Sequence, residues 1–221
     1  MISQSWQNFW RLAALACALL PLSAAWAADA PSISGRVVGA DGKGIAEAVV
    51  FVENPVPPAV ANAQATMDQI DKTFVPGLLP IVVGTRVIFP NHDQIRHHVY
   101  SFSRTKSFEL PLYKGLDAPP VLFDKVGVVK VGCNIHDWMS AIILVLPTPY
   151  FAVTDAEGRF ALSDLPHGTY HLAAWHAQSK AKPEDTLQSI AVTGGGAQAN
   201  FTLALAPVRP RPAMHGVRGE P

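Results

Sequence analysis

Cys133, His136 and Met139 follow one another at three-residue steps in the segment Cys133-Asn134-Ile135-His136-Asp137-Trp138-Met139. A thiolate, an imidazole and a thioether on one short loop make up most of a donor set for copper. Such a set accommodates both the +1 and +2 states, and here it lacks only a second imidazole. The candidates for that imidazole lie upstream, in Asn91-His92-Asp93-Gln94-Ile95-Arg96-His97-His98-Val99-Tyr100. If the chain around 97–98 is extended, neighbouring side chains point to opposite faces, so only one of His97 and His98 can turn toward the loop. Taken singly, each residue has a plainer reading. Cys133 would be a small buried hydrophobe, Met139 core filling and His136 a satisfied turn residue. Together, with apolar runs at 128–131 and 141–146 to hold both ends of the loop, they favour a rigid metal site.

The thiol has no partner in its own chain once the N-terminus is considered. Residues 1–27 read as a secretory signal peptide: Arg11 ends a short n-region, an apolar run covers 12–22, and Ala25-Trp26-Ala27 precedes the cleavage site. That run is too short to span a bilayer, which needs about 20 apolar residues. Cys17 sits inside it and leaves with it. The expected location is therefore the periplasm. Disulfides form in such a compartment, which makes the lone Cys133 a candidate ligand rather than half of a bridge. With 17 Lys and Arg against 17 Asp and Glu, the formal charge is zero. That balance excludes a nucleic-acid-binding surface built on net charge. No later segment is apolar enough over a sufficient length to span a membrane.

The elements that must position these residues read as all-β. Short runs of Val, Ile, Phe and Tyr alternate with turn signals, and no stretch keeps a helical period. Strands at 33–38 and 47–53 flank Asp41-Gly42-Lys43-Gly44, a hairpin signal. The proline-rich 54–65 is a linker, since proline cannot donate to a sheet ladder. Strands resume at 66–74, 79–83, 86–89, 99–103, 108–111, 121–123, 128–131 and 141–146. A last block runs from 148 to 205, with a turn at Asp155-Ala156-Glu157-Gly158. Its Leu165-Pro166-His167-Gly168-Thr169-Tyr170 is similar to a tyrosine corner. The Pro- and Arg-rich 206–221 is expected to be a disordered tail.

Two resemblances sharpen this outline. Ser34-Gly35-Arg36-Val37-Val38 with 48–52, then Thr154-Asp155-Ala156-Glu157-Gly158-Arg159-Phe160 with Tyr170-His171-Leu172, resembles a carboxypeptidase regulatory-like (transthyretin-like) β-sandwich. Its two parts, 28–53 and 148–205, would then flank an inserted domain. Residues 66–147 resemble a cupredoxin, a Greek-key β-sandwich. The Cys-x2-His-x2-Met spacing is that of amicyanin. Phe74-Val75-Pro76, Val83-Gly84-Thr85-Arg86-Val87, Asn91-x-Asp93 and Gly127 match the surrounding frame. The resemblance implies one type 1 copper, held by His97, Cys133, His136 and Met139. The chain departs from amicyanin and plastocyanin in having His98 where Asn follows the first ligand. A bond between His98 and Asn134 is expected to replace the tie which that Asn makes. Arg96 in place of a proline and Asp137 on the rim are further departures, and they bear on redox potential and partner surface. The overall layout is also similar to exported bacterial proteins labelled methylamine utilization proteins.

The implied function is a periplasmic one-electron carrier, with electrons passing at the edge of His136 beside Leu78, Leu79 and Trp138. Its partner would be a periplasmic redox protein, such as a c-type cytochrome or a dehydrogenase. The competing class is a copper chaperone using the same ligands, with His92 as a spare donor. A copper enzyme would need a second cluster of histidines. Only His92, His98, His167, His171, His176 and His215 remain outside the four, with no His-x-His pair among them. The expectation is therefore not an enzyme. Trp175 and His171, on one strand face, are expected to serve the scaffold rather than a ligand site.

Overall fold

Alternation of buried and exposed residues runs through most of the chain, as the period of two requires. A computed structural model describes residues 32–53 and 63–207. Apart from one 3-10 turn at Pro183–Thr186, their regular structure is all β. In chain order the strands are β1 (Ile33–Gly39), β2 (Val49–Val52), β3 (Gln64–Thr66), β4 (Asp68–Ile70), β5 (Thr73–Val75) and β6 (Leu78–Val82). Next come β7 (Thr85–Ile88), β8 (His97–Phe102), β9 (Ser107–Tyr113), β10 (Val121–Phe123), β11 (Gly127–Cys133) and β12 (Ser140–Leu146). Then follow β13 (Phe151–Val153), β14 (Arg159–Leu162), β15 (Gly168–Trp175), β16 (Gln188–Val192) and β17 (Ala197–Leu203).

The middle of the chain forms a five-stranded sheet, β6-β12-β11-β8-β9, a three-stranded sheet, β10-β7-β3, and a β4-β5 ribbon. Their inward faces share one core, including Met67, Phe74, Val87, Phe89, Val99, Phe123, Val129, Val131 and Ile143. Strand parity in β11 sends Val129, Val131 and Cys133 into this core. Each large apolar side chain buried there contributes roughly 1.5–3 kcal/mol relative to exposure. β11 pairs antiparallel with β12 up to Gly132 opposite Ser140. The loop carrying His136 therefore leaves and re-enters one fixed ladder.

The flanking pieces, β1–β2 and β13–β17, form two further sheets, β14-β1-β17 and β13-β2-β15-β16. They enclose a second core with Ile33, Val37, Val50, Val52, Phe160, Leu172 and Phe201. The Tyr170 hydroxyl donates to the Pro166 carbonyl at 2.7 Å, as the corner motif leads one to expect. β2 is buried on both faces, which explains its unbroken Val-Val-Phe-Val run. Val50 and Val52 face that second core. Val49 and Phe51 point the other way, into a third cluster with Leu144, Leu146, Ala173 and Trp175. Trp175 is thus packing between the two sandwiches rather than an exposed ligand platform.

Several expectations need correction. The turn at 41–44 forms, with Gly39 N–H donating to the Lys43 carbonyl at 2.8 Å. The strands on either side do not make a hairpin, however. β1 pairs with β14 and β17, and β2 with β13 and β15, because each strand buries its face in an opposite sheet. Gln64 and Ala65, expected in a linker, belong to β3, which pairs parallel with β7. The stretch 66–74 breaks into separate strands, since Asp71 and Lys72 turn the chain with φ of 51° and 58°. The expected signal peptide at 1–27, most of the proline-rich 54–65 and the tail from 208 lie outside the described residues. Among the described residues, no helix is long and apolar enough to cross a membrane.

Candidate metal centre

The ends of two adjacent strands bring the upstream histidines to the loop. β8 pairs antiparallel with β11, setting Cys133 opposite Val99 and Gly132 opposite Tyr100. His97 opens β8 and lies just beyond this pairing. Its parity matches Val99 and Ser101, all fully buried. Cys133 is also buried, at the end of β11. Three main-chain hydrogen bonds then fix the loop. Cys133 N–H donates to the Met139 carbonyl (3.1 Å), Met139 N–H to the His136 carbonyl (3.0 Å) and Asn134 N–H to the His98 carbonyl (3.1 Å).

The result is a convergence of three donors. The Nδ1 atoms of His97 and His136 each lie 3.7 Å from the Cys133 sulfur. All three potential ligand atoms fall within 4.8 Å of one another. The two imidazole rings tilt 59° to each other with centroids 5.0 Å apart. A thiol and two imidazoles this close together, with Cys133 and His97 buried and His136 half-buried, fit a copper ion of either charge state. Met139 is buried in the same core as Cys133. The proton affinity of His136 is held below the ordinary histidine range. Burial is the main cause, followed by charge at His97 and Lys72, with Asp93 opposing. These causes disfavour the protonated ring, and a neutral ring keeps a lone pair for a metal.

Asp93 is the part of the site that sequence reasoning left without a role. Its Oδ2 lies 2.7 Å from Nε2 of His97. Burial pushes this carboxyl's pKa up, but hydrogen bonds from His97 and from the N–H groups of Lys72 and Asp71 outweigh it, and the net shift is downward. An ionised carboxylate only accepts, so Nε2 of His97 carries a proton, and in the neutral ring the lone pair is then on Nδ1, the nitrogen 3.7 Å from the Cys133 sulfur. The signal was the placement of an acid four residues before the candidate ligand. It is weak without the tertiary turn that aligns the two.

The remaining candidates separate cleanly. His98 faces outward, as parity requires, and its Nε2 comes within 2.8 Å of Glu109 Oε1 without the alignment of a hydrogen bond. Its ring stands edge-on to Tyr100 at 6.3 Å. The link between His98 and Asn134 runs through the main chain, not through the His98 side chain. His92 is exposed and bonded to Asp68 at 2.7 Å, outside the three-donor cluster. Trp138 is partly exposed and packs on His136, centroids 5.0 Å apart. Leu78 and Leu79 are half-buried.

No family model matches this sequence, and no curated protein sequence matches it. Solved structures do show similarity. The purple cupredoxin from Nitrosopumilus maritimus is 26% identical, over 38% of this chain and 99% of that one, with a TM-score of 0.33. A reduced variant of amicyanin is 20% identical, over 43% of this chain and 97% of that one, with a TM-score of 0.35. The Cu-containing nitrite reductase from Thermus scotoductus SA-01 is 25% identical over 44% of this chain, with a TM-score of 0.37. The match spans 28% of that reductase chain.

Proposed function

We propose that the chain is an exported one-electron carrier with a cupredoxin-like copper domain at 66–147. A second β-sandwich, built from the segments on either side, carries that domain. The observation behind this reading is the convergence of His97 Nδ1, His136 Nδ1 and the Cys133 sulfur. Met139 is the fourth ligand in the proposal. Copper bound there would supply the one-electron couple.

The chain's own residues then have distinct tasks. Cys133, His97 and His136 would hold the ion through one sulfur and two ring nitrogens, a donor set that suits both charge states without a new ligand. The three loop hydrogen bonds and the burial of His97 keep donor positions fixed when the charge changes. Electrons leave by His136, whose ring touches the partly exposed Trp138. Ile135, also exposed, widens this into a small apolar contact. A patch of that size suits brief encounters with a periplasmic redox protein.

The test is to load residues 28–221 with copper(II) and record the visible spectrum. An intense blue thiolate charge-transfer band, lost in Cys133→Ala, supports the carrier. Tight binding of copper(I) with no such band would replace it with a copper-handling role.

A further inference from the structure

The turn that closes the β4–β5 ribbon contains none of the four proposed ligands, yet it is bonded to one of them through a single carboxylate. Asp71 and Lys72 both adopt left-handed φ values, a conformation that Gly or Asn takes more readily. Asp93 holds them there. Its Oδ1 accepts the Asp71 N–H at 2.7 Å, and its Oδ2 accepts the Lys72 N–H at 2.8 Å. The same Oδ2 accepts from His97 Nε2 at 2.7 Å.

Asp93 is itself fixed from behind. Its N–H donates to Asn91 Oδ1 at 3.0 Å. The Asn91 amide in turn donates to the carbonyls of Ile95 (2.9 Å) and Tyr113 (3.0 Å). Turn, carboxylate and ligand ring therefore form one continuous hydrogen-bonded unit.

We propose that the Asp71–Lys72 turn is a working part of the metal centre. Through Asp93, a positioning residue, it sets the tautomer and ring angle of His97. The effect on bound copper rests on the carrier reading, and the hold on His97 does not. A carboxylate on the far nitrogen strengthens an imidazole donor and favours the more charged metal state.

The metal-free protein tests the unit directly by nitrogen-15 NMR. His97 should show a single Nε2–H tautomer. In Asp93→Asn that tautomer preference should weaken, and the Asp71 and Lys72 amides should exchange at least tenfold faster. In copper-loaded protein, Asp93→Asn should raise the reduction potential, with the visible band kept. An Nδ1–H tautomer in the unaltered protein would overturn the proposal even if Asp93→Asn fails to fold. So would unchanged amide exchange, or a potential that falls in Asp93→Asn. Absence of a blue band in the unaltered protein removes the carrier reading, while the metal-free measurements still decide whether the turn holds His97.

Discussion

Tyr100 covers Gly132, the residue immediately before Cys133: a methyl group built on that glycine would stand 3.2 Å from both Cζ and the hydroxyl oxygen of the tyrosine ring. The ring therefore packs on bare backbone beside the thiol. Gly132→Ala should displace the ring and cost about 1–3 kcal/mol, as overpacking does. In a Tyr100→Ala background the same change should be nearly neutral. Chemical denaturation of the four proteins gives the coupling directly, and equal costs in both backgrounds would contradict the contact.

The second prediction concerns the outward route from His136. Trp138→Ala removes the ring that packs on it at 5.0 Å but no proposed ligand. The blue band of the copper protein should stay in place while electron self-exchange, read from NMR line broadening, slows by about tenfold, equivalent to roughly 1.4 kcal/mol in the barrier. A band that moves substantially would mean the tryptophan shapes the site itself.

The two sandwiches meet through Phe51 and Val49 of β2, which pack with Leu144, Leu146 and Trp175. Phe51→Ala should cost about 3–5 kcal/mol, the usual range for emptying a buried phenylalanine site. Calorimetry should show unfolding split into two transitions, because the change removes packing shared by both units. A single transition at an unchanged temperature would count against that interface.

High pH should reach the core through Tyr113. Its hydroxyl donates to the Phe89 carbonyl and accepts from Gln69 Nε2, both at 2.6 Å. Burial is the chief cause that pushes its pKa from 10.0 up to about 12, partly opposed by the Gln69 hydrogen bond, with charge at Cys133 and Asp68 adding to the rise. Between those values the folded chain keeps a proton that the unfolded chain has lost, so stability falls as pH rises. Its contribution is complete below pH 10 and is lost by about pH 12. Melting temperatures taken across that window should fall more steeply for the unaltered protein than for Tyr113→Phe, although the variant starts lower. Parallel curves would show that other groups govern the decline.

The candidate donors of the loop were legible because their chemistry is local. Cys133, His136 and Met139 sit within seven residues. Strand parity allowed only one of His97 and His98 to face them, and the resemblance chose His97. The tyrosine corner was legible for the same reason, since Tyr170 bonds a carbonyl four residues back. Pairings between distant segments were not. The turn at 41–44 looks like a hairpin in sequence, but β1 and β2 diverge because each finds a longer apolar partner in residues 151–203. Gln64 and Ala65 read as linker because the small, polar run around them carries no strand period, and only β7 recruits them.

Sequence alone determined the all-β class, the donor types and the short spacing that lets one loop present them. Tertiary structure decided which atoms converge. The alternation of a strand states that only one of His97 and His98 faces inward, and the pairing of β8 with β11 sets His97 beside Cys133. An acid four residues before a histidine is common, and only the fold sets the Asp93 carboxylate 2.7 Å from Nε2 of His97, held there by Asn91 and by the N–H groups of Asp71 and Lys72. Local periodicity encodes direction, whereas distance comes from contacts between parts of the chain that no short window contains.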